Sequence, residues 1–190
     1  MDNLTGTLQK WRVRLGHVFS LAILFFATPT ALLAAIGTVV TLLGLALRLA
    51  AAGCIQKDQV LSRHGPYAYT RNPLYVGSFF MVLGFCVAAS NVWVAAAFFP
   101  FFFSIYYATI YREEQFLKGK FGEEYAAFCR EVPRFFPRPI PAQRGSGGWF
   151  SMKQAMANHE YEGAGAALVV LALLWAMALT GFSPFRALMK

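Results

Sequence analysis

Long apolar runs with almost no charge constrain this chain more than any other feature. Residues 31–52 read ALLAAIGTVVTLLGLALRLAAA, and Arg48 is the one charge among them. A helix crosses a bilayer with roughly 20 mostly apolar residues. Four further segments, 15–28, 73–90, 92–111 and 163–182, are candidates of the same kind. The first is the shortest and is extended at its start by KWRVR, and the fourth carries Pro100. The chain is 57% hydrophobic and 14% charged, whereas soluble domains run about 45–50% and about 25%. The expectation is an all-α integral membrane bundle of about five transmembrane helices, one domain over residues 1–190. Thr28–Thr30 and Ser90–Asn91 are the turn signals inside two helical hairpins. The early apolar run is followed at once by another, which suits a retained hairpin better than a cleaved leader.

Basic residues orient such a bundle, because cytoplasmic loops are enriched in Lys and Arg. With the N-terminus in the cytoplasm, fifteen of the seventeen Lys and Arg fall inside, and only Arg186 and Lys190 fall outside. The polar loops then face the cytosol; in a bacterium the protein sits in the inner membrane. The net charge of +8 needs no nucleic acid to explain it, since anionic headgroups attract such residues by about 1 kcal/mol each. The expected partners are membrane lipids and not nucleic acid. Cys54, Cys86 and Cys129 are far apart; they show no metal spacing and no disulfide framework, and read as reduced packing cysteines.

The polar segment 113–162 is not a linker throughout. Leu117, Phe121, Tyr125, Phe128 and Val132 recur at helical spacing, which predicts an amphipathic interfacial helix. Gly119 and Gly122 weaken its start, so the regular helix begins near Gly122. VPRFFPRPIP ends it, because proline cannot continue a helix. AQRGSGG reads as a mobile loop. Asn158 is the expected N-cap of the last span, with Glu160 and Glu162 at the positive helix end. His159 and Glu160 have an alternative reading, as groups reaching a site from the start of that span.

Two clusters carry chemistry. HGPYAYTRNPLYVGSFF, residues 64–80, sets His64, Arg71, Asn72, two prolines and three tyrosines at the lip of the third apolar run. Pro73 suits a first helical turn, and Gly77 lets a backbone or a ligand come close. The tyrosines read either as an interfacial aromatic belt or as faces for a cation. Glu113 and Glu114 close the fourth run. They mark the end of a span, or they hold a cation at the mouth of the bundle, with Arg71, Arg112 or a ligand as counter-charge.

GPYAYTRNPLYVG, followed about 35 residues later by REEQFL, FGEEY and VPRFFP, resembles the superfamily of membrane methyltransferases that includes isoprenylcysteine carboxyl methyltransferases and phosphatidylethanolamine N-methyltransferases. The resemblance covers residues 59–137. It implies a methyltransferase that uses S-adenosylmethionine, releases S-adenosylhomocysteine and acts on a lipid or lipidated acceptor, a phospholipid amine or a prenylcysteine-type carboxylate. By the same resemblance Gln59, Val60, Leu61, Ser62, Tyr67, Asn72, Tyr75, Gly77 and Glu113 contact the cofactor. Glu113, Glu114 and Asn72 stand at the catalytic positions, and no metal is implied. Many family members carry histidine where this chain has Asn72, and asparagine does not titrate near neutrality. Isoprenylcysteine enzymes carry an arginine one turn before the acidic position for the substrate carboxylate; this chain has Thr109 there, which favours a lipid amine or another small apolar nucleophile. An NADPH-dependent sterol-type membrane reductase and a non-catalytic membrane scaffold are the competing expectations.

Overall fold

A computed structural model of the chain describes residues 2–56, 60–142 and 150–189, with side chains from residue 14 onward. Helix α1 is Asp2–Phe26, α2 Ala31–Cys54, α3 Pro73–Ala88, α4 Val92–Glu131, α5 Met152–Ala157, α6 Glu160–Thr180 and α7 Pro184–Leu188. A 3-10 turn, Gly65–Ala68, stands between α2 and α3. The described residues hold no strand.

The starts follow local chemistry. The Thr30 hydroxyl accepts from the Leu33 amide and begins α2. The Asn91 side chain accepts from the Trp93 and Val94 amides and begins α4. Pro73 opens α3, where its missing N–H costs nothing. The short connections gather at one end of the bundle. Thr28 N donates to Ala89 O at 2.8 Å, Asn91 Nδ2 to Phe26 O at 2.8 Å, and Ser183 Oγ to Ala27 O at 2.8 Å. The long polar connections therefore lie together at the other end.

Helices α2, α4 and α6 are long and apolar enough to cross a membrane; the apolar part of α1, Arg14–Phe26, and α3 are shorter. The outer faces are apolar: Leu32, Trp93 and Leu179 are each more than 70% exposed, as lipid-facing residues of a helical membrane bundle are. Phe98, Phe102, Ile23 and Leu174 fill the interior. Phe19 of α1 stacks on Phe101 of α4 at 4.3 Å.

Small residues join α2 to α3. Gly37 and Gly44 face Gly84 and Gly77, so that backbones touch. A Cβ on Gly84 would lie 2.2 Å from Thr41 Oγ1 and 2.5 Å from Gly37 O. In lipid, such close approach takes the place of hydrophobic drive between helices. The close approach expected at Gly77 is thus to α2, where a Cβ would meet Arg48 Cγ at 2.6 Å and Gly44 O at 2.8 Å. Helix α3 has 16 residues against 24 for α2. Gly44 lies opposite Gly77 and Met81, so Pro73 is level with about residue 50 of α2, which runs on about 6 Å past it at 1.5 Å per residue. The polar lip is recessed by that difference.

Helix α4 continues past Glu113 and breaks at Gly122, whose φ of 50° and ψ of −122° are not helical. The expected interfacial helix is the stretch from there to Glu131. Its apolar face, Tyr125 and Phe128 with Val132 beyond it, is buried against Leu61 and Ala142. The last span corrects one expectation. Asn158 does not begin it; Asn158 ends the short helix α5, and its side chain donates to Ala52 O at 2.8 Å and Ile55 O at 3.2 Å. His159, in the left-handed region at φ 59°, makes the turn into α6. The expected mobile loop falls, beyond Ala142, outside the described residues.

Replacing Gly84 with alanine is expected to destabilise the α2–α3 pair by about 1–3 kcal/mol, the range for overpacking a tight contact. Thermal denaturation in detergent measures it; an unchanged midpoint contradicts the packing.

Candidate active site

The site is built where three segments meet at the polar end: the loop before α3, the polar end of α4, and the proline-rich stretch after it. Backbone bonds fasten the first to the last. Arg71 N donates to Pro133 O at 2.9 Å, Arg138 N to Tyr69 O at 3.0 Å, and Ala142 N to Ala68 O at 2.9 Å. Thr70 Oγ1 donates to Phe135 O at 2.9 Å. Prolines have no N–H of their own to satisfy, so VPRFFPRPIP can lie against the loop with its few remaining amides and its carbonyls paired to it. Phe135 turns inward and sits against Phe79, Phe102 and Phe103 at 6.0–6.2 Å.

Tyr67, on the 3-10 turn, is buried beside Ala51 and Cys54. Burial, then the charge of Glu113, pushes its phenol well above the usual value, so it is a neutral hydrogen-bond donor at any physiological pH. Burial lowers the pKa of His64. Tyr75, in the first turn of α3, donates its hydroxyl to Glu113 Oε2 at 2.8 Å. Its ring meets Tyr106 edge-on at 5.3 Å, and Tyr106 stacks on Phe102 at 4.1 Å. Glu113 is exposed and has no ion pair among the described residues.

Glu114 has the opposite environment. One residue further on a helix is a turn of about 100°, and that rotation carries it inward, to 7% exposure. Arg71 Nη2 lies 3.2 Å from its Oε1, and Arg134 Nη2 lies 2.7 Å from its Oε2. Arg71 also contacts Cys129 Sγ. The bond to Glu114 raises the pKa of Arg134. The counter-charges are therefore Arg71, which sequence reasoning considered, and Arg134, which it missed; Arg112 is exposed. A second, half-buried pair was also missed. Arg48 Nε and Nη2 meet the two oxygens of Glu160 at 3.0 and 2.8 Å, and Arg48 Nη1 donates to Ser78 Oγ at 2.6 Å. Glu160 thereby ties α6 to α2 and α3 as well as lying in the first turn of its helix. The signal was Arg48 itself, a lone charge in an apolar run.

The remaining expected residues divide. Asn72 Nδ2 donates to Arg134 O at 2.9 Å, so its amide is engaged in holding the lip closed. Ser62 Oγ donates to Cys54 O at 3.1 Å. Leu61 packs under the α4 extension, Val60 is exposed, and Gln59 lies outside the described residues. Tyr75 and Glu113 are joined by their hydrogen bond, Tyr67 is buried against Ala51 and Cys54, and Gly77 is on the α2 side of α3.

The sequence profile of the family described as phospholipid methyltransferase matches residues 30–124, from the start of α2 to the α4 extension. The chain belongs to that family. Among individual relatives it is 35% identical over 94 residues to the cobalt-zinc-cadmium resistance protein CzcN of Cupriavidus metallidurans, covering 50% of this chain and 43% of that protein. It is 33% identical over 81 residues to the protein-S-isoprenylcysteine O-methyltransferase of Schizosaccharomyces pombe, covering 43% and 34%. A Tribolium castaneum protein of the same name is 32% identical over 80 residues, covering 42% and 28%. The matched stretch spans less than half the length of each of these relatives. The family match contains Arg48, the lip and both glutamates; Arg134 and Glu160, which pair with them, come from outside it.

The two glutamates are expected to behave differently on substitution. Glu114→Ala strands Arg71 and is expected to cost about 3–5 kcal/mol, while Glu113→Gln leaves the melting midpoint within experimental error. Parallel thermal melts check this, and equal losses contradict the division.

Proposed function

We propose that the chain is a membrane methyltransferase that binds S-adenosylmethionine at the mouth formed by Tyr67, Tyr75 and Glu113, and delivers its methyl group to a lipid acceptor. The single observation that carries the reading is Glu113, an exposed carboxylate with no cationic partner among the described residues, oriented by the Tyr75 hydroxyl. Such a carboxylate suits the donor's amino group. The rings of Tyr75 and Tyr106 suit its sulfonium, at about 0.5–2 kcal/mol per cation–ring contact. Tyr67 keeps its proton and donates to a polar edge. Glu114 is closed between two arginines and is not the base; Asn72 shapes the lip.

When bound, the donor supplies an electrophilic methyl group on positively charged sulfur. The chain's part is alignment and exclusion of water, and holding two reactants in a near-attack pose is worth roughly 7–11 kcal/mol. The chain's N-terminus and the mouth face the cytosol in this reading, as the basic loops require.

Calorimetry with S-adenosylhomocysteine on the detergent-purified protein tests the proposal. Glu113→Gln is expected to weaken binding tenfold or more with the fold intact, and Tyr75→Ala to weaken it more than Tyr111→Ala. No binding by the unaltered chain supports a scaffold instead. Methyl transfer from tritium-labelled donor to a lipid extract, run beside NADPH consumption, separates the methyltransferase from a reductase.

A further inference from the structure

Arg48 is the one charge among residues 31–52, and the acid that balances it comes from far along the chain. Its Nε and Nη2 meet Glu160 at 3.0 and 2.8 Å, and its Nη1 donates to Ser78. The pair is shielded from water, with side chains 22% and 12% exposed. It also lies against the elements that carry the donor mouth. A Cβ on Gly77, two residues after Tyr75, would meet Arg48 Cγ at 2.6 Å. Ala51, three residues after Arg48, packs on Tyr67. Burial first, then the charge of Glu113 and, less, that of Glu160 act on the Tyr67 phenol, so both carboxylates are within electrostatic reach of one side chain. Glu160 is held in place from its own side. Ser151 N donates to Gly53 O at 3.0 Å and Asn158 Nδ2 to Ala52 O at 2.8 Å, which clamps the start of α6 onto the end of α2.

Without that acid, Arg48 would place an unbalanced positive charge beside the mouth, where low-dielectric surroundings screen it little. The donor's sulfonium is itself positive, and the two would repel. We propose that Glu160 is a positioning residue of the donor mouth, acting through Arg48: it holds and neutralises the arginine so that a cationic donor can enter. The inference rests on the function proposed above. Arg48 lies inside the family match and Glu160 outside it, so a segment beyond the matched unit completes the charge balance of the site. A purely mechanical tie would act on every ligand alike. A charge balance separates S-adenosylmethionine, whose sulfur is positive, from S-adenosylhomocysteine, whose sulfur is neutral.

Calorimetry on the full chain in detergent, at pH 8 and low salt, measures both affinities. Glu160→Gln is expected to weaken S-adenosylmethionine binding at least tenfold and S-adenosylhomocysteine binding less than threefold. Arg48→Gln leaves the opposite charge and is expected to move the ratio of the two affinities the other way, by threefold or more; it decides the matter if Glu160→Gln does not fold. Arg48→Met combined with Glu160→Met removes both charges and is expected to return the ratio to within twofold of the unaltered chain. Trp175→Phe removes the bond from α6 to Thr38, so it is expected to lower the melting midpoint and leave the ratio unchanged. Equal weakening of both ligands in Glu160→Gln, or an unchanged ratio in the folded single variants, overturns the proposal and leaves the donor reading standing. Absence of S-adenosylhomocysteine binding by the unaltered chain overturns both.

Discussion

One buried carboxylate holds the polar end of this bundle together. Glu114 comes from α4, Arg71 from the loop before α3, and Arg134 from the stretch after α4. Its two ion pairs join all three segments that wall the site. Removing a carboxylate from water is expensive, and the cost is offset only when partners are fixed in place. Here they are fixed from outside the pair: the Arg71 amide is bonded to Pro133 O, the Arg134 carbonyl accepts from the Asn72 side chain, and the next carbonyl, Phe135 O, accepts from Thr70 Oγ1. The ion pairs and the backbone clasp support each other, so the loop and the proline-rich strip are ordered together or not at all.

Glu113 follows from the same constraint. Once Glu114 is turned inward, helix geometry turns its neighbour toward Tyr75 and leaves it open. The pair of glutamates thus gives one structural acid and one available acid from two adjacent codons. The recessed start of α3 leaves room for the 3-10 turn, whose Tyr67 packs against Ala51 and Cys54 of α2. Helix α6 is fastened to that frame by Arg48 and Glu160, so the last span is part of the wall rather than a separate anchor.

Much of this was legible in the sequence. The apolar runs gave the helices, and the Thr30 and Asn91 caps stand at the expected turns. Gly122 breaks α4 at the point where glycine weakened the helical pattern. The resemblance pointed to Tyr75 and Glu113, which the structure brings together. What was not legible depended on distance along the chain. Arg134 looked like one cation of a proline-rich tail until the tail folded back over the loop. Glu160 looked like a dipole-matching acid because its partner lies 112 residues away. Asn158 was read as a cap for the last span because the short helix α5 carries no periodic apolar signal to announce it. At Gly77 the sequence allowed a ligand or a backbone, and only the matching glycine on α2 decides for the backbone.

The most direct measurement is a structure of the protein with S-adenosylhomocysteine bound. The account predicts its amino group within about 3 Å of a Glu113 oxygen, its sulfur beside Tyr75, and Glu114 still closed on Arg71 and Arg134. A ligand lodged elsewhere in the bundle, or one that draws Glu114 out of its two arginines to meet the amine, contradicts it.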